Sequence, residues 1–404
     1  MTDFLPHPRD ARAALTPLVG GEMDDERALR LFAAHTWSCL VEPGDGVAGR
    51  LVAALGYEDA LAGVVGRRGD ARAMDAAGIT PKQWHDGVAR WLPRLQTGPV
   101  RDALEIARHA GMSMLTHEDP RWPSSLADLG EHGPLVLWVR GDPDALTRLA
   151  WSVALVGARA ATSYGEHVAM ELAADVVGRG VSVVSGAAYG IDGAAHRATL
   201  SAGGTTVALL AGGADRPYPT GHTDLIERIA STGAVVSEVP CGSAPTKWRF
   251  LQRNRLIAAL ADATVVVEAG WRSGSLNTAA HAAALARPLG AVPGPVTSAA
   301  SAGCHRLLRE FDARCVTNAD EVLELLGQSA TAISGRVLPE SSADRTDDVT
   351  RVTDAMSWRA GREAADIARR AGLSLDEVAS ILGLLALEEA VERGEGGWRR
   401  VRAT

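Results

Sequence analysis

VALVGARAATSYG, Val153–Gly165, sets four apolar residues before a glycine turn and the start of an amphipathic stretch, Tyr164–Gly178. A short apolar run that ends in glycine and feeds a helix is the repeating unit of an α/β sheet. The unit recurs downstream. Predicted strands are Val153–Val156, Val181–Ser185, Thr205–Leu210, Ala234–Ser237, Thr264–Glu268, Leu289–Val292 and Arg314–Thr317. Predicted helices between and after them are Tyr164–Gly178, Asp192–Ser201, Thr223–Ser231, Leu251–Ala261, Ser275–Ala286, Cys304–Phe311 and Asp320–Leu326. Strands that are apolar throughout, with no polar alternation, belong to a parallel sheet covered on both faces. The fold class predicted is α/β, a doubly wound, Rossmann-like core. Ligands of such sheets sit beyond the carboxyl ends of the strands.

Outward from this core the pattern changes. Residues 1–100 carry Ala, Leu and Arg at helical spacing around Asp25–His35, Val47–Leu55 and Tyr57–Val65, and predict a small helical N-terminal domain. Pro120, Pro123 and Pro134 then break the chain before a short strand, Leu135–Val139, so that the core domain is drawn over 101–327. Residues 328–348 are poor in apolar side chains and read as a linker. In 349–404, helices at Glu363–Ala371 and Leu375–Leu387 precede two strands, Ala390–Glu392 and Trp398–Arg402, around Gly394, Gly396 and Gly397. Helix, turn, helix and glycine-tipped hairpin predict a winged-helix domain. Its second helix and the turn after it hold Asp376, Glu377, Glu388 and Glu389 and no cation, which weighs against insertion into a DNA groove. Only the hairpin is basic, with Arg393, Arg399, Arg400 and Arg402.

Composition bounds the chemistry. The 404 residues carry 41 cations and 49 anions, a formal charge of −8, so any nucleic-acid site must be a local patch. Lys82 and Lys247 are the two lysines, and neither follows a phosphate-binding glycine loop. The cysteines, Cys39, Cys241, Cys304 and Cys315, form no C-x-x-C pair and read as reduced thiols of a cytoplasmic protein. No long apolar run or signal core is present, so no membrane association is expected. No nucleophile, acid–base pair, metal set or cofactor motif emerges, and no enzyme activity is expected. Asp192 and His196 are four residues apart, which suits a helical ion pair better than a metal site.

What remains is anion chemistry. The turn after the first core strand, from Gly157 through Arg159 to Gly165, is not G-x-G-x-x-G, and the second strand ends in Ser185-Gly186 without a ribose-binding acid. Both features argue against a dinucleotide enzyme. Backbone N–H groups at a helix start still favour anions, and Arg159 adds a guanidinium for a phosphate. Pairing of Arg159 to a carboxylate is the plain alternative. Gly186 and Gly190 in the next loop, and Ser273-Gly274 before another helix, extend this edge. Lys247-Trp248-Arg249-Phe250-Leu251-Gln252-Arg253-Asn254-Arg255 holds four cations and two aromatics without an acid. Cations that follow a phosphate backbone, with aromatics that stack on bases, are how single strands are held. A solvated helix face with core aromatics is the alternative.

Seven motifs occur in order: VALVGARAATSYG, VVSGAAYGIDGAAH, TTVALLAGGADRPYP, VVSEVP, WRFLQRNRLIAALADATVVVEAGWRSGSLNTA, AVPGPV and AGCHRLLRE. With THEDPRWPSSLADLGEHGPLVLWVRGD upstream, they resemble the DNA-processing protein A family (DprA, or Smf) over about 112–327. The resemblance implies an extended Rossmann core, a SAM-like helical N-terminal domain and a winged-helix C-terminal domain. It implies single-stranded DNA binding, loading of the RecA recombinase during natural transformation or recombination, and a homodimer through the core. Carried over by motif, Arg159 would hold a phosphate at the Gly157 turn, Lys247 would meet the backbone and Phe250 would stack on a base. Arg253 and Arg255 would line the same groove. Two positions depart from the family: Ala158 stands where Ser or Thr is usual, and Tyr189 where Arg is usual. Tyr189 is then a stacking candidate beside Gly186. The competing reading is a nucleotide-binding or nucleotide-processing enzyme of the lysine-decarboxylase-like Rossmann group, whose acidic motif is not evident.

Overall fold

A computed structural model describes residues 6–66 and 71–327, then 349, 352–353, 355–357, 360–371, 373–387, 390–394 and 396–401. The predicted linker at 328–348 lies outside the described residues, as do Glu388, Glu389 and Arg402. The chain forms two compact units, Met1–Ala330 and Thr331–Thr404.

The first unit is built on a nine-stranded sheet. Its strands are β1 (Met112–Leu115), β2 (Leu137–Gly141), β3 (Ser152–Gly157), β4 (Ser182–Ser185), β5 (Thr206–Leu210), β6 (Ala234–Ser237), β7 (Ala263–Glu268), β8 (Leu289–Ala291) and β9 (Arg314–Cys315). Their order is β1-β2-β6-β5-β4-β3-β7-β8-β9. Strands β3 to β9 run parallel, and β2 adds to β6 in the antiparallel sense with β1 beyond it. The protein is thus α/β with a mostly parallel central sheet. Along β3 the side chains alternate between two separate cores. Val153 and Leu155 pack with Leu172 and Ile191 on one face, and Ala154 and Val156 pack with Leu256 and Ile257 on the other. Strand side chains have a period of two, so an unbroken apolar run is what a sheet buried on both faces requires.

Among the described residues six helices precede the core: α1 (Pro8–Val19), α2 (Asp25–Leu40), α3 (Gly46–Gly66), α4 (Ala71–Ala76), α5 (Pro81–Trp91) and α6 (Thr97–His109). Helix α3 breaks at Gly56, whose φ of +78° is the left-handed conformation that favours glycine. Trp37 and Trp91 meet edge to face, 5.2 Å apart, with their indole N–H groups donated to the Tyr57 carbonyl and the Asp45 carboxylate. This helical layer does not form a core of its own. Leu15, Leu31 and Trp37 share one cluster with Trp138 of β2 and Val235 of β6. Strand β1 has no counterpart in the sequence reading. Four residues between a helix and a proline-rich loop carry too short a pattern to separate from loop, and only the partner strand β2 makes them a strand.

The core helices are α7 (Ser163–Val177), α8 (Ile191–Ser201), α9 (Thr223–Thr232), α10 (Lys247–Leu260), α11 (Ser275–Ala284), α12 (Ala302–Glu310) and α13 (Ala319–Leu325). Among the described residues no helix is long and apolar enough to cross a membrane.

The second unit holds α14 (Ala364–Ala371), α15 (Leu375–Leu387) and the antiparallel pair β10 (Val391–Gly394) and β11 (Gly397–Arg400). Ser374 caps α15 in a reciprocal box: its Oγ accepts from the Glu377 N–H at 3.3 Å, and the Glu377 carboxylate accepts from the Ser374 N–H at 2.8 Å. Ile367, Val378, Leu382 and Val391 make its core. Arg399 of the hairpin is ion-paired to Glu392 across the strands.

Candidate nucleic-acid interface

Strands β4, β5 and β6 lie on one side of β3, and β7, β8 and β9 on the other. Loops leaving β3 and β7 therefore diverge, and a crevice opens beyond their carboxyl ends. A cavity of about 790 Å³ lies there. Its walls are the turn after β3 with Gly157 and Arg159, the first half of α10, the loop before α11 with Arg272, Ser273 and Gly274, and Tyr218 from the β5–α9 connection.

The turn after β3 is held from below. Glu268, at the end of β7, is buried and accepts from both the N–H (2.8 Å) and the hydroxyl (2.6 Å) of Thr162. Thr162 in turn caps α7, its hydroxyl oxygen accepting from the Gly165 N–H. Thr162→Ala is expected to cost about 1–2 kcal/mol of unfolding free energy, seen as a lower denaturant midpoint, since a cap and a buried carboxylate's partner go together.

Helix α10 begins at Lys247, four residues before the predicted start at Leu251. The local signal was Thr246 behind Pro245: its hydroxyl oxygen accepts from the Arg249 N–H at 3.2 Å. The earlier start decides the fate of the basic cluster. Successive helical residues turn by about 100°, so cations at 247, 249, 253 and 255 cannot share one face. Lys247, Phe250, Arg253 and Asn254 line the cavity. Arg249 and Arg255 do not. Arg249 donates Nε and Nη2 to Glu42, both at 2.9 Å, and Arg255 donates Nη1 and Nη2 to Glu238 at 2.7 and 2.6 Å. The expected groove of Arg253 with Arg255 is corrected accordingly: Arg255 is 3% exposed and also donates Nε to the His132 carbonyl. Partial burial pushes the Glu42 carboxyl up, but Arg249 and then Arg94 more than offset it and leave it below its ordinary value. Helix α10 is clamped by one face to Glu42 of the N-terminal layer and to Glu238 after β6, and presents the other to the cavity.

Arg253 is 6% exposed and donates Nη1 to the Leu209 carbonyl at 2.6 Å. A Cβ on Gly186 would sit 1.9 Å from that Nη1, so glycine at 186 makes room for the guanidinium. Gly186 itself is behind the cavity wall, and its N–H is donated to Asp192 at 3.2 Å. Burial pushes the Asp192 carboxyl up, with Arg253 pulling it part of the way back. Burial likewise lowers Arg253 to about 10, with Asp192 opposing and the charge of Arg159 adding to the fall. The expected Asp192–His196 ion pair is absent. His196 is buried against the Thr206 hydroxyl at 2.7 Å, and burial lowers it to about 3, so it is neutral.

Arg159, Lys247 and Arg272 are exposed on the cavity wall, and none of them is paired with a carboxylate among the described residues. The Arg159 guanidinium lies over the Phe250 ring, 4.7 Å from its centre. The plain alternative for Arg159, a carboxylate partner, is not what the structure contains. Tyr189 sits outside the cavity, its ring edge-on to His222 at 4.8 Å and its hydroxyl accepting from the Gly221 N–H. Ser273 shares a hydrogen bond with Ser275 at 2.8 Å beside Gly274. Sequence reasoning missed Arg272, Tyr218 and Glu268. Arg272 stands directly before the Ser273-Gly274 anion loop, which was the available signal.

The family model described as DNA recombination-mediator protein A matches residues 113–327. A Mycobacterium tuberculosis protein (strain H37Rv) assigned as a DNA processing protein DprA is 46% identical over 331 residues, 79% of this chain and 83% of that one. Protein Smf of Escherichia coli K12 is 35% identical over 67% of this chain and 72% of its own length. The X-ray structure of DNA processing protein A from Streptococcus pneumoniae superposes with a TM-score of 0.58 at 26% identity, covering 75% of this chain and 98% of that one. Motif order, fold and sequence identity over most of the length converge, and the chain belongs to the DNA recombination-mediator protein A family.

Proposed function

We propose that this chain binds single-stranded DNA across the carboxyl edge of its central sheet and acts as a recombination mediator that passes the strand to a RecA-type recombinase. The observation that carries the reading is the set of three unpaired cations, Arg159, Lys247 and Arg272, around a cavity that also holds Phe250 and Tyr218. In a chain of formal charge −8, unpaired cations gathered around one cavity point to an anionic partner. Aromatic rings beside them suit bases that are free to stack, which a duplex does not offer. Charge also favours an incoming phosphate at depth: Arg253 is held in its charged form against the cost of burial, and a nearby anion relieves that cost.

The finer parts of the reading follow the family. The sites are Gly157, Arg159, Lys247, Phe250, Arg253, Ser273 and Gly274 on the wall, with Gly186 making room for Arg253 behind it and Tyr189 next in sequence to the lining residue Ala188. Residues 1–100 form the SAM-like helical region, 101–327 the extended Rossmann-like DNA-binding region, and 349–404 a winged helix for protein contact. The chain works in the cytoplasm, as a homodimer through the core, in transformation or general recombination. A nucleotide-processing enzyme is disfavoured, because Asp192 is the one carboxylate on the described cavity wall and it is already held by Gly186 and Arg253.

Fluorescence anisotropy with labelled oligo-dT and a matched duplex tests this across a salt series. The expected result is tighter binding of the single strand, with log K falling against log salt by about 0.7 for each phosphate neutralised. Equal affinity for the duplex, or a flat salt series, overturns it.

A further inference from the structure

The geometry points to Tyr218 as the platform on which a base of the bound strand stacks, an inference that rests on the single-strand reading above. The family resemblance implies this role for Phe250. Here the Phe250 ring is already occupied. The Arg159 guanidinium lies 4.7 Å from its centre, the Arg253 guanidinium 5.9 Å, and the Tyr218 ring 5.6 Å at a tilt of 54°. A guanidinium on an aromatic face takes the place that a stacking base would take. Phe250 therefore serves first as the seat that aims Arg159 at a phosphate.

Tyr218 is differently placed. It lines the same cavity and is 44% exposed. Its hydroxyl has no hydrogen-bond partner among the described residues. The other exposed aromatics at this edge are otherwise engaged or lie off the cavity wall. Tyr164 donates its hydroxyl to the Pro293 carbonyl, Tyr189 accepts from the Gly221 N–H, and Arg306 covers Trp271. Tyr218 and the Arg159 guanidinium both touch Phe250. A phosphate held by one and a base stacked on the other thus belong to the same or the adjoining nucleotide. The assignment gives the cavity a division of labour: Arg159, seated on Phe250, holds the backbone, and Tyr218 holds the base.

The test compares the affinity of the full chain for oligo-dT and for an abasic oligonucleotide of equal length, which keeps the phosphates and removes the bases. The variants are Tyr218→Ala, Tyr218→Leu and Tyr218→Phe, each checked by thermal melting. Base stacking predicts that the parent prefers oligo-dT. It also predicts that Tyr218→Ala and Tyr218→Leu lose about five- to a hundred-fold in affinity for oligo-dT and almost nothing for the abasic strand. Tyr218→Phe, which keeps the ring, retains the preference. Tyr218→Leu fills most of the side-chain space without a π face, so a loss caused by collapse of the wall is told apart from loss of stacking. An equal fall for both strands, or no fall for either, overturns the role of Tyr218 and leaves single-strand binding standing. A parent that binds neither strand overturns the single-strand reading and this inference with it.

Discussion

Replacing Arg159, Lys247 and Arg272 together with alanine is expected to weaken oligo-dT binding about a hundred-fold at 0.1 M salt and to flatten the salt slope by about 2. Each phosphate neutralised on a single strand contributes about 0.7 to that slope, and the same factor sets the affinity lost per contact at 0.1 M. All three side chains are exposed on the cavity wall without a carboxylate partner, so their full charge is available to the ligand. Arg249→Ala is the informative comparison. Its guanidinium is bound to Glu42 by two hydrogen bonds, and the slope is expected to stay close to that of the parent. A triple variant with an unchanged slope means that phosphates are held elsewhere.

Arg253→Ala is expected to destabilise the first unit by about 3–5 kcal/mol, a large fraction of the stability of a typical domain. The substitution leaves Asp192 buried without its countercharge and the Leu209 carbonyl without its donor. The loss should depend on pH in a definite sense. The folded Asp192 carboxyl already sits above its ordinary value, and removal of Arg253 raises it further. A folded state that binds a proton more tightly than the unfolded chain loses stability as pH rises through that window. The deficit of Arg253→Ala should therefore shrink on going from pH 8 toward pH 5. Chemical denaturation at the two pH values measures it, and a deficit that grows on acidification sinks the account. Asp192→Asn combined with Arg253→Met, which removes both charges and keeps most of the volume, should recover most of the loss.

The particular residues show where sequence reasoning reaches and where it stops. The parallel strands from β3 to β8 were legible because burial on both faces writes a largely apolar run into each of them, whereas β9, Arg314–Cys315, is an exposed edge strand. The turn at Gly157–Arg159 was legible because it directly follows such a run. Strand β1 was not, because a strand of four residues is defined by its partner. The basic cluster was found as a composition but not as a surface. Nine residues with four cations look like one patch in one dimension, and become two faces once α10 is seen to begin at Lys247. Half of that charge neutralises Glu42, some 207 residues away in sequence, and Glu238, on the connection before the helix.

The same division holds for the turn after β3. Val153–Gly165 by itself determines a buried strand, a glycine turn and a helix start, because these depend on local periodicity and capping. Whether Arg159 is free or paired depends on which groups other strands bring within reach. That was settled by Phe250 from α10 and by Glu268 from β7, the latter spent on Thr162 rather than on the arginine. Periodicity and propensity act over a few residues and leave their mark in the chain. Charge pairing and ring contacts act through space, so only the tertiary structure decides them.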